Sequence, residues 1–276
     1  MYLFLRAISF SYLTSHISHL TTIFNPMLKL SLAISFLKHW SKAKTRHGVH
    51  SPFVYRLLDN VIYDFRAKTV YQEIEQLRND LEQDKRWKRS IEAGSALYVA
   101  KKDLEPARIA QLLHRLIADL KPGTIIVLGD SFGITTAYLA KAAPGAWLVS
   151  IMENSETLSI TEKNLQTLNI RNVELLSGNP DELLPKLLEG IPELDFILID
   201  GNHSKVSILN YFKCCLPKMS KQSMMVFEDI YRSREMTSAW QEIKSNSEVS
   251  VTIDLFWIGL VFIRRAQRKE DFKIRF

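Results

Sequence analysis

Acid is missing from the start of this chain: no Asp or Glu precedes Asp59, while Arg6, Lys29, Lys38, Lys42, Lys44, Arg46 and Arg56 place seven positive charges there. The far end is also basic, with Arg264, Arg265, Arg268, Lys269, Lys273 and Arg275 against Glu270 and Asp271. Between Asp59 and Ile263, 23 basic residues therefore face 28 acidic ones, so the formal charge of +6 belongs to the ends. A net-negative middle is a poor surface for a nucleic-acid backbone. Cysteine is scarce: Cys214 and Cys215 are the only two, and they are adjacent, which excludes a disulfide framework and a thiolate metal cluster. A reducing cytoplasm is the expected compartment. No long apolar run exists either. Residues Ala7 to Leu28 carry no full charge, but Ser, Thr, His16, His19, Asn25 and Pro26 interrupt them, too polar for a spanning helix. A secretory signal also fits poorly, lacking a compact apolar region and a small-residue cleavage site. One Arg in the first 28 residues gives thin support to a transit peptide, and translation starting at Met27 is an equal alternative.

What is present is a 276-residue chain, 46% hydrophobic, able to bury a full core. The divisions expected are an N-terminal extension over 1–40, dispensable for the fold through Met27, a helical lead-in over 41–103, a main domain over 104–265 and a basic tail over 266–276. Tyr71, Ile74, Leu77 and Leu81 fall at helical spacing, and Glu82 to Arg89 reads as a charged linker. From Glu105 an amphipathic helix runs to Pro122-Gly123. Short apolar runs then alternate with helical patterns. The predicted strands are Thr124–Gly129, Trp147–Met152, Val173–Leu176, Asp195–Asp200 and Ser223–Phe227, followed by a hairpin from Val249–Leu255 and Trp257–Arg264. This predicts an α/β, doubly wound sheet of five parallel strands plus a C-terminal antiparallel hairpin, with the ligand crevice at the strands' carboxyl ends.

The residues with chemical potential stand at those ends. Gly129-Asp130-Ser131-Phe132-Gly133-Ile134-Thr135-Thr136 is a glycine-bearing turn that opens a helix. Asp130 in that turn repels a dinucleotide pyrophosphate but suits S-adenosylmethionine, which carries an ammonium and a sulfonium. Glu153, after the second strand, stands where an acid accepts both ribose hydroxyls. The fourth strand ends in Asp200-Gly201-Asn202-His203 and the fifth in Glu228-Asp229. Three crevice-side carboxylates in succession are costly unless something cationic lies among them.

Residues Lys121 to Arg265 resemble the O-methyltransferase branch of class I S-adenosylmethionine-dependent methyltransferases, which includes catechol and caffeoyl-CoA O-methyltransferases. The likeness is carried by the turn from Gly129 to Thr136, by Ser150-Ile151-Met152-Glu153, by Ser177-Gly178-Asn179 and by Asp195 through His203. Arg46-His47-Gly48-Val49-His50-Ser51-Pro52-Phe53-Val54-Tyr55 is similar to the opening of uncharacterised bacterial methyltransferases. The resemblance implies a Rossmann-like methyltransferase domain, with cofactor contacts from Gly129, Asp130, Ser131, Gly133, Thr136, Glu153, Asp200 and, at the adenine edge, Gly178 and Asn179.

Two departures matter. Val127 stands where the family often has an acid, and Ile230 stands where metal-dependent members follow the acid at Asp229 with an Asn ligand. Two routes activate an acceptor hydroxyl: His203 as base, oriented by Asp200, or a Mg²⁺ ion on Asp200, Asp229 and Glu228, a route that Ile230 weakens. The plainer reading of His203 is a cap on the following helix. The expected acceptor is a small-molecule hydroxyl. The rivals are a nucleic-acid methyltransferase, supported only by the basic ends, and a non-catalytic binding module of the same fold. The basic, aromatic N-terminal segment also suits peripheral contact with a membrane.

Overall fold

The computed structural model describes residues 26–83, 106–129, 132–201, 204–264 and 267–276. Of the expectations above, Asp130, Ser131, His203, most of the first extension and the linker beyond Gln83 lie outside the described residues.

The lead-in comprises α1 (Pro26–Lys42), α2 (Pro52–Leu57), running into a π turn at Leu58–Ile62, and α3 (Thr69–Gln83). The main domain then alternates: α4 (Ala107–Leu120), β1 (Thr124–Leu128), α5 (Ile134–Ala142), β2 (Trp147–Met152), α6 (Ser155–Thr167), β3 (Val173–Ser177), α7 (Pro180–Glu189), β4 (Phe196–Ile199), α8 (Lys205–Cys215), β5 (Met224–Glu228) and α9 (Arg234–Ser245). It closes with β6 (Val251–Asp254), β7 (Ile258–Phe262) and β8 (Glu270–Lys273). One eight-stranded sheet results, in the order β3-β2-β1-β4-β5-β7-β6-β8. Neighbours among β1 to β5 pair parallel, and β7 pairs antiparallel with both β5 and β6.

Alternation along the strands builds the two layers. Ile125, Val127, Leu198, Val226, Ile253 and Leu260 face the core formed with the π turn and α4, whereas Ile126, Leu128, Ile197, Ile199, Phe227 and Val261 face the core under α7, α8 and α9. A period of two with both faces covered is what makes these strands read as nearly continuous apolar runs. Asp195 serves the opposite end of the sheet from the crevice. Its carboxylate accepts from Gly123 N–H at 2.8 Å and Thr124 N–H at 2.9 Å, anchoring the entry to β1.

Two sequence readings need correction. Residues 270–273, expected within a basic tail, form β8, which pairs parallel with β6, and Phe272 and Ile274 enter the core. Phe272 and Ile274, alternating with Asp271, Lys273 and Arg275, carried a strand signal that the surrounding charge obscured. A division after residue 40 also cuts through α1, whose Phe36 and His39 are buried against Phe256 and Asp254. The apolar positions of α1 do not fall on one clean stripe, so its inner face was not visible in the pattern.

Candidate functional site

The strand order reverses between β1 and β4, and in open α/β sheets the carboxyl ends of the strands at such a switch point are where a ligand crevice lies. The two strand ends meet there closely. Asp200 N–H donates to Leu128 O at 2.9 Å, and a Cβ added to Gly129, whose φ is +72°, would lie 2.4 Å from Asp200 O. No side chain fits at position 129 without parting the two strand ends. Gly201, with φ +79°, turns the chain away from β4 beside it.

Beyond the two turn residues outside the described set, Phe132 and Gly133 both adopt left-handed backbone, with φ of +65° and +76°. Phe132 is buried, its carbonyl accepts from Asn164 Nδ2 at 2.8 Å, and a Cβ on Gly133 would lie 2.7 Å from Thr161 Cγ2. The turn is therefore held from behind by α6, and it directs the N-terminus of α5 toward the crevice. Thr136, in the first turn of α5, is fully buried.

Glu153 directly follows β2, and its side chain is exposed with no ion pair among the described residues. Capping of α6 is done by the next residue: Asn154 accepts from Glu156 N–H at 2.8 Å, which leaves the Glu153 carboxylate uncommitted. Asn179 is different, since its side-chain oxygen caps α7 by accepting from Asp181 N–H at 2.9 Å. Gly178 N–H donates to Met152 O at 2.9 Å and so extends the β2–β3 edge. Asp200 is half-buried, and its Oδ1 accepts from Gly201 N–H at 2.6 Å.

At the next strand end Glu228 is buried at 5% exposure, beside Ile258 of β7. Asp229 has a φ of +54°, its N–H donates to Trp257 O at 2.7 Å, and its carboxylate pairs with Arg232 at 2.9 Å. Neighbouring strands are about 4.8 Å apart, so the four columns from β2 to β5 set Glu153 roughly 14 Å from Asp229. That length accommodates an extended nucleoside with an acceptor beside it.

The donor set separates two candidate ligands. A nucleoside fits the exposed carboxylate of Glu153 and the close-packed glycine turn. A divalent metal does not fit the described residues. No three His, Cys, Asp or Glu side chains among them form a group that could hold an ion. Asp229 is tied to Arg232, and Ile230, at 1% exposure, belongs to the apolar core under α8 and α9.

One cluster escaped sequence reading. Behind the β5 loop, Tyr231 OH donates to Asp254 Oδ2 at 2.6 Å, and its ring stacks on Phe256 at 5.0 Å. Asp254, 1% exposed, also meets His39 Nε2 at 3.1 Å and accepts from Phe256 N–H at 3.0 Å. Burial pushes the Tyr231 phenol well above its ordinary value, and the neighbouring carboxylate acts in the same direction. These contacts lock the loop after Asp229 to the β6–β7 turn and to α1. The only signal available beforehand was a lone Asp in a β-rich run.

Residues 126–230 match a family model described as a methyltransferase domain. The chain is 32% identical over 80 residues to a transmembrane O-methyltransferase homolog of Rattus norvegicus, covering 28% of this chain and 31% of that protein. It is 25% identical over 153 residues to an uncharacterized RNA methyltransferase of Protochlamydia amoebophila, covering 51% of this chain and 35% of that one. The chain thus spans about a third of the length of the curated relatives it matches. Among solved structures, the O-methyltransferase from Bacillus cereus in complex with SAH aligns at 16% identity and TM-score 0.52, covering 72% of this chain and 93% of that one. The O-methyltransferase TomG from Streptomyces achromogenes, in complex with SAM, aligns at 17% identity and TM-score 0.55, covering 73% and 92%. At these identities the likeness establishes the fold, a Rossmann-like α/β sheet.

Proposed function

We propose that this chain, which carries a methyltransferase domain over residues 126–230, transfers a methyl group from S-adenosylmethionine to a hydroxyl of a small molecule. The observation that carries the reading is the β1–β4 switch point, where Gly129 and Asp200 meet, with the uncommitted Glu153 carboxylate one strand away. The cofactor, when bound, supplies an electrophilic methyl on a sulfonium, and the protein has to align the acceptor and keep water out. Glu153 accepts hydrogen bonds from the ribose hydroxyls. Gly129 lets the backbone approach the ligand, Asp130 and Ser131 attend to its amino-acid end, and Gly178 borders the adenine.

The acceptor enters over β4 and β5. His203 takes its hydroxyl proton, and Asp200 holds that imidazole in register. Val127 is fully buried and contributes to the core, so it offers nothing to the ammonium of the cofactor. No step is assigned to Mg²⁺.

Calorimetric titration with S-adenosylhomocysteine tests the cofactor, and a screen of small hydroxylated acceptors with radiolabelled S-adenosylmethionine tests the reaction. Absence of S-adenosylhomocysteine binding refutes the proposal, and NAD binding in its place redirects it to a dehydrogenase. A second reading, RNA methylation, is favoured by the Protochlamydia relative. The net-negative stretch from Asp59 to Ile263 weighs against it, and labelled transfer to total RNA but to no small molecule would establish it.

A further inference from the structure

Helix α1 has two unlike faces. Phe36 and His39 point inward, while Leu30, Ile34 and Leu37, exposed at 64%, 42% and 60%, stand on the opposite side. At about 100° per residue these three fall within an arc of about 60° and run along the helix for about 10 Å. Such a stripe lies flat against a surface. Lys38 and Lys42 flank it on one side, and both are exposed.

Lys42 leads from the stripe into a cavity of about 220 Å³ that Lys44, Lys244 and Lys273 also line, together with Asp254 and Asp271. The two acids are engaged internally: Asp254 by His39 and Tyr231 and, at 3.9 Å, by Lys273, which also donates to Tyr231 OH at 3.2 Å, and Asp271 by the hydroxyl of Thr252. Lys42 and Lys44 have no ion-pair partner among the described residues, and Lys244 lies 5.9 Å from the Trp240 ring. Burial lowers the Lys273 ammonium from its ordinary value, Asp254 opposes this, and Lys244 and Lys42 add their repulsion. The cavity therefore concentrates positive charge with room for an anionic group.

We propose that α1 and this cavity form one docking face for an anionic lipid surface. Leu30, Ile34 and Leu37 enter the acyl boundary, and a phosphate headgroup sits among Lys42, Lys44, Lys244 and Lys273. An amphipathic helix of this kind binds through buried apolar area plus attraction to anionic lipid, and each lysine near the surface contributes. Self-association is the weaker account of the stripe. No acid occurs in the chain before Asp59, so a second copy of α1 would bring lysines against lysines. The proposal does not depend on methyl transfer.

The test is cosedimentation of the full chain with vesicles of phosphatidylcholine alone or with 30% phosphatidylglycerol, with melting temperature and S-adenosylhomocysteine affinity measured alongside. Binding only to the anionic vesicles is expected. It should fall about tenfold or more in Lys42→Glu/Lys44→Glu and in Leu30→Ser/Ile34→Ser/Leu37→Ser, but remain in the surface control Lys186→Glu. Four outcomes overturn the proposal. One is the absence of anionic-vesicle binding by the folded parent, and another is binding unchanged in both multiple variants, which would locate the contact elsewhere in the chain. A third is a concentration-dependent dimer, lost in the stripe variant, without vesicle binding. The last is full displacement from vesicles by millimolar inorganic phosphate with the stripe variant unaffected, which would make the cavity a site for free phosphate. Loss of S-adenosylhomocysteine binding with vesicle binding intact refutes the methyltransferase reading alone.

Discussion

Replacing His39 by alanine removes a buried polar link between α1 and the sheet, and the cost follows from what remains around Asp254. That carboxylate is 1% exposed and holds His39 Nε2 at 3.1 Å, Tyr231 OH at 2.6 Å and Phe256 N–H at 3.0 Å. Removing one partner of a buried pair costs about 3–5 kcal/mol when the other charge is stranded. Here Tyr231 and Phe256 remain, and Lys273, 3.9 Å away, stands ready to move closer. The expected loss is therefore about 3 kcal/mol, at the low end of that range. For a domain of this size that lowers the melting temperature by roughly 6–12 °C.

The loss should also depend on pH. Burial works to raise the Asp254 carboxyl, yet His39, Tyr231 and the Phe256 N–H together outweigh it and hold the group below its ordinary value. A depressed carboxyl contributes stability above its unfolded value, near 3.9, and loses it as pH falls through the lower folded value. Circular-dichroism melts should accordingly show the full gap between parent and His39→Ala at pH 6 and a smaller gap at pH 3. A double-mutant cycle with Asp254→Asn should give a coupling of about 1 kcal/mol or more. A melting shift below about 2 °C at pH 6, or additive effects in the cycle, would refute the argument that this pair fastens α1.

Glu153→Ala should weaken S-adenosylhomocysteine binding by about 1–3 kcal/mol, the range for a hydrogen bond to a charged group, while the melting temperature of the free protein stays unchanged; unaltered affinity by calorimetry removes Glu153 from the site. Once an acceptor is known, His203→Ala should lower turnover about 10²-fold or more with cofactor affinity retained. Full activity in that variant, together with loss on EDTA and recovery on Mg²⁺, would move the chemistry to metal-bound carboxylates. Gly259→Val should unfold or strongly destabilise the protein, because even a Cβ there lies 2.6 Å from the buried Trp240 ring; a melting curve like the parent's would show that the indole can shift. Burial, with Lys68 and Arg115 nearby, lowers His114 from 6.5 to about 4. The unfolded chain therefore binds the extra proton first as pH falls, so stability should decline from about pH 6.5 toward 4, and His114→Asn should flatten that decline in urea titrations.

Local rules account for what the sequence by itself determined here. Alternation within β1 to β5 and helical spacing between them specify a parallel, doubly wound sheet, since each strand is buried on both faces and each crossover spans the distance back. The near absence of a gap between the runs Val249–Leu255 and Trp257–Arg264 likewise predicts a hairpin, which the structure forms from Val251–Asp254 and Ile258–Phe262. The crevice end and the strand-end positions of Glu153, Asp200 and Asp229 follow from that same order, because a side chain just beyond a strand's last residue has one rim to occupy.

Tertiary structure decided the rest, and the reason is that the interactions join residues far apart in the chain. His39 and Asp254 are 215 positions apart, and neither sits in a motif, so only packing of α1 on the β6–β7 turn reveals the pair. β8 was hidden because flanking charges obscured the spacing of Phe272 and Ile274, and only the pairing with β6 makes residues 270–273 plainly a strand. The lysines of the cavity come from α1, the residues just after it, α9 and β8, four segments that no spacing rule connects. Ile230 could be read as a missing ligand from sequence, but its burial beneath α8 and α9, and the pairing of Asp229 with Arg232, depend on how the chain leaves β5 in three dimensions.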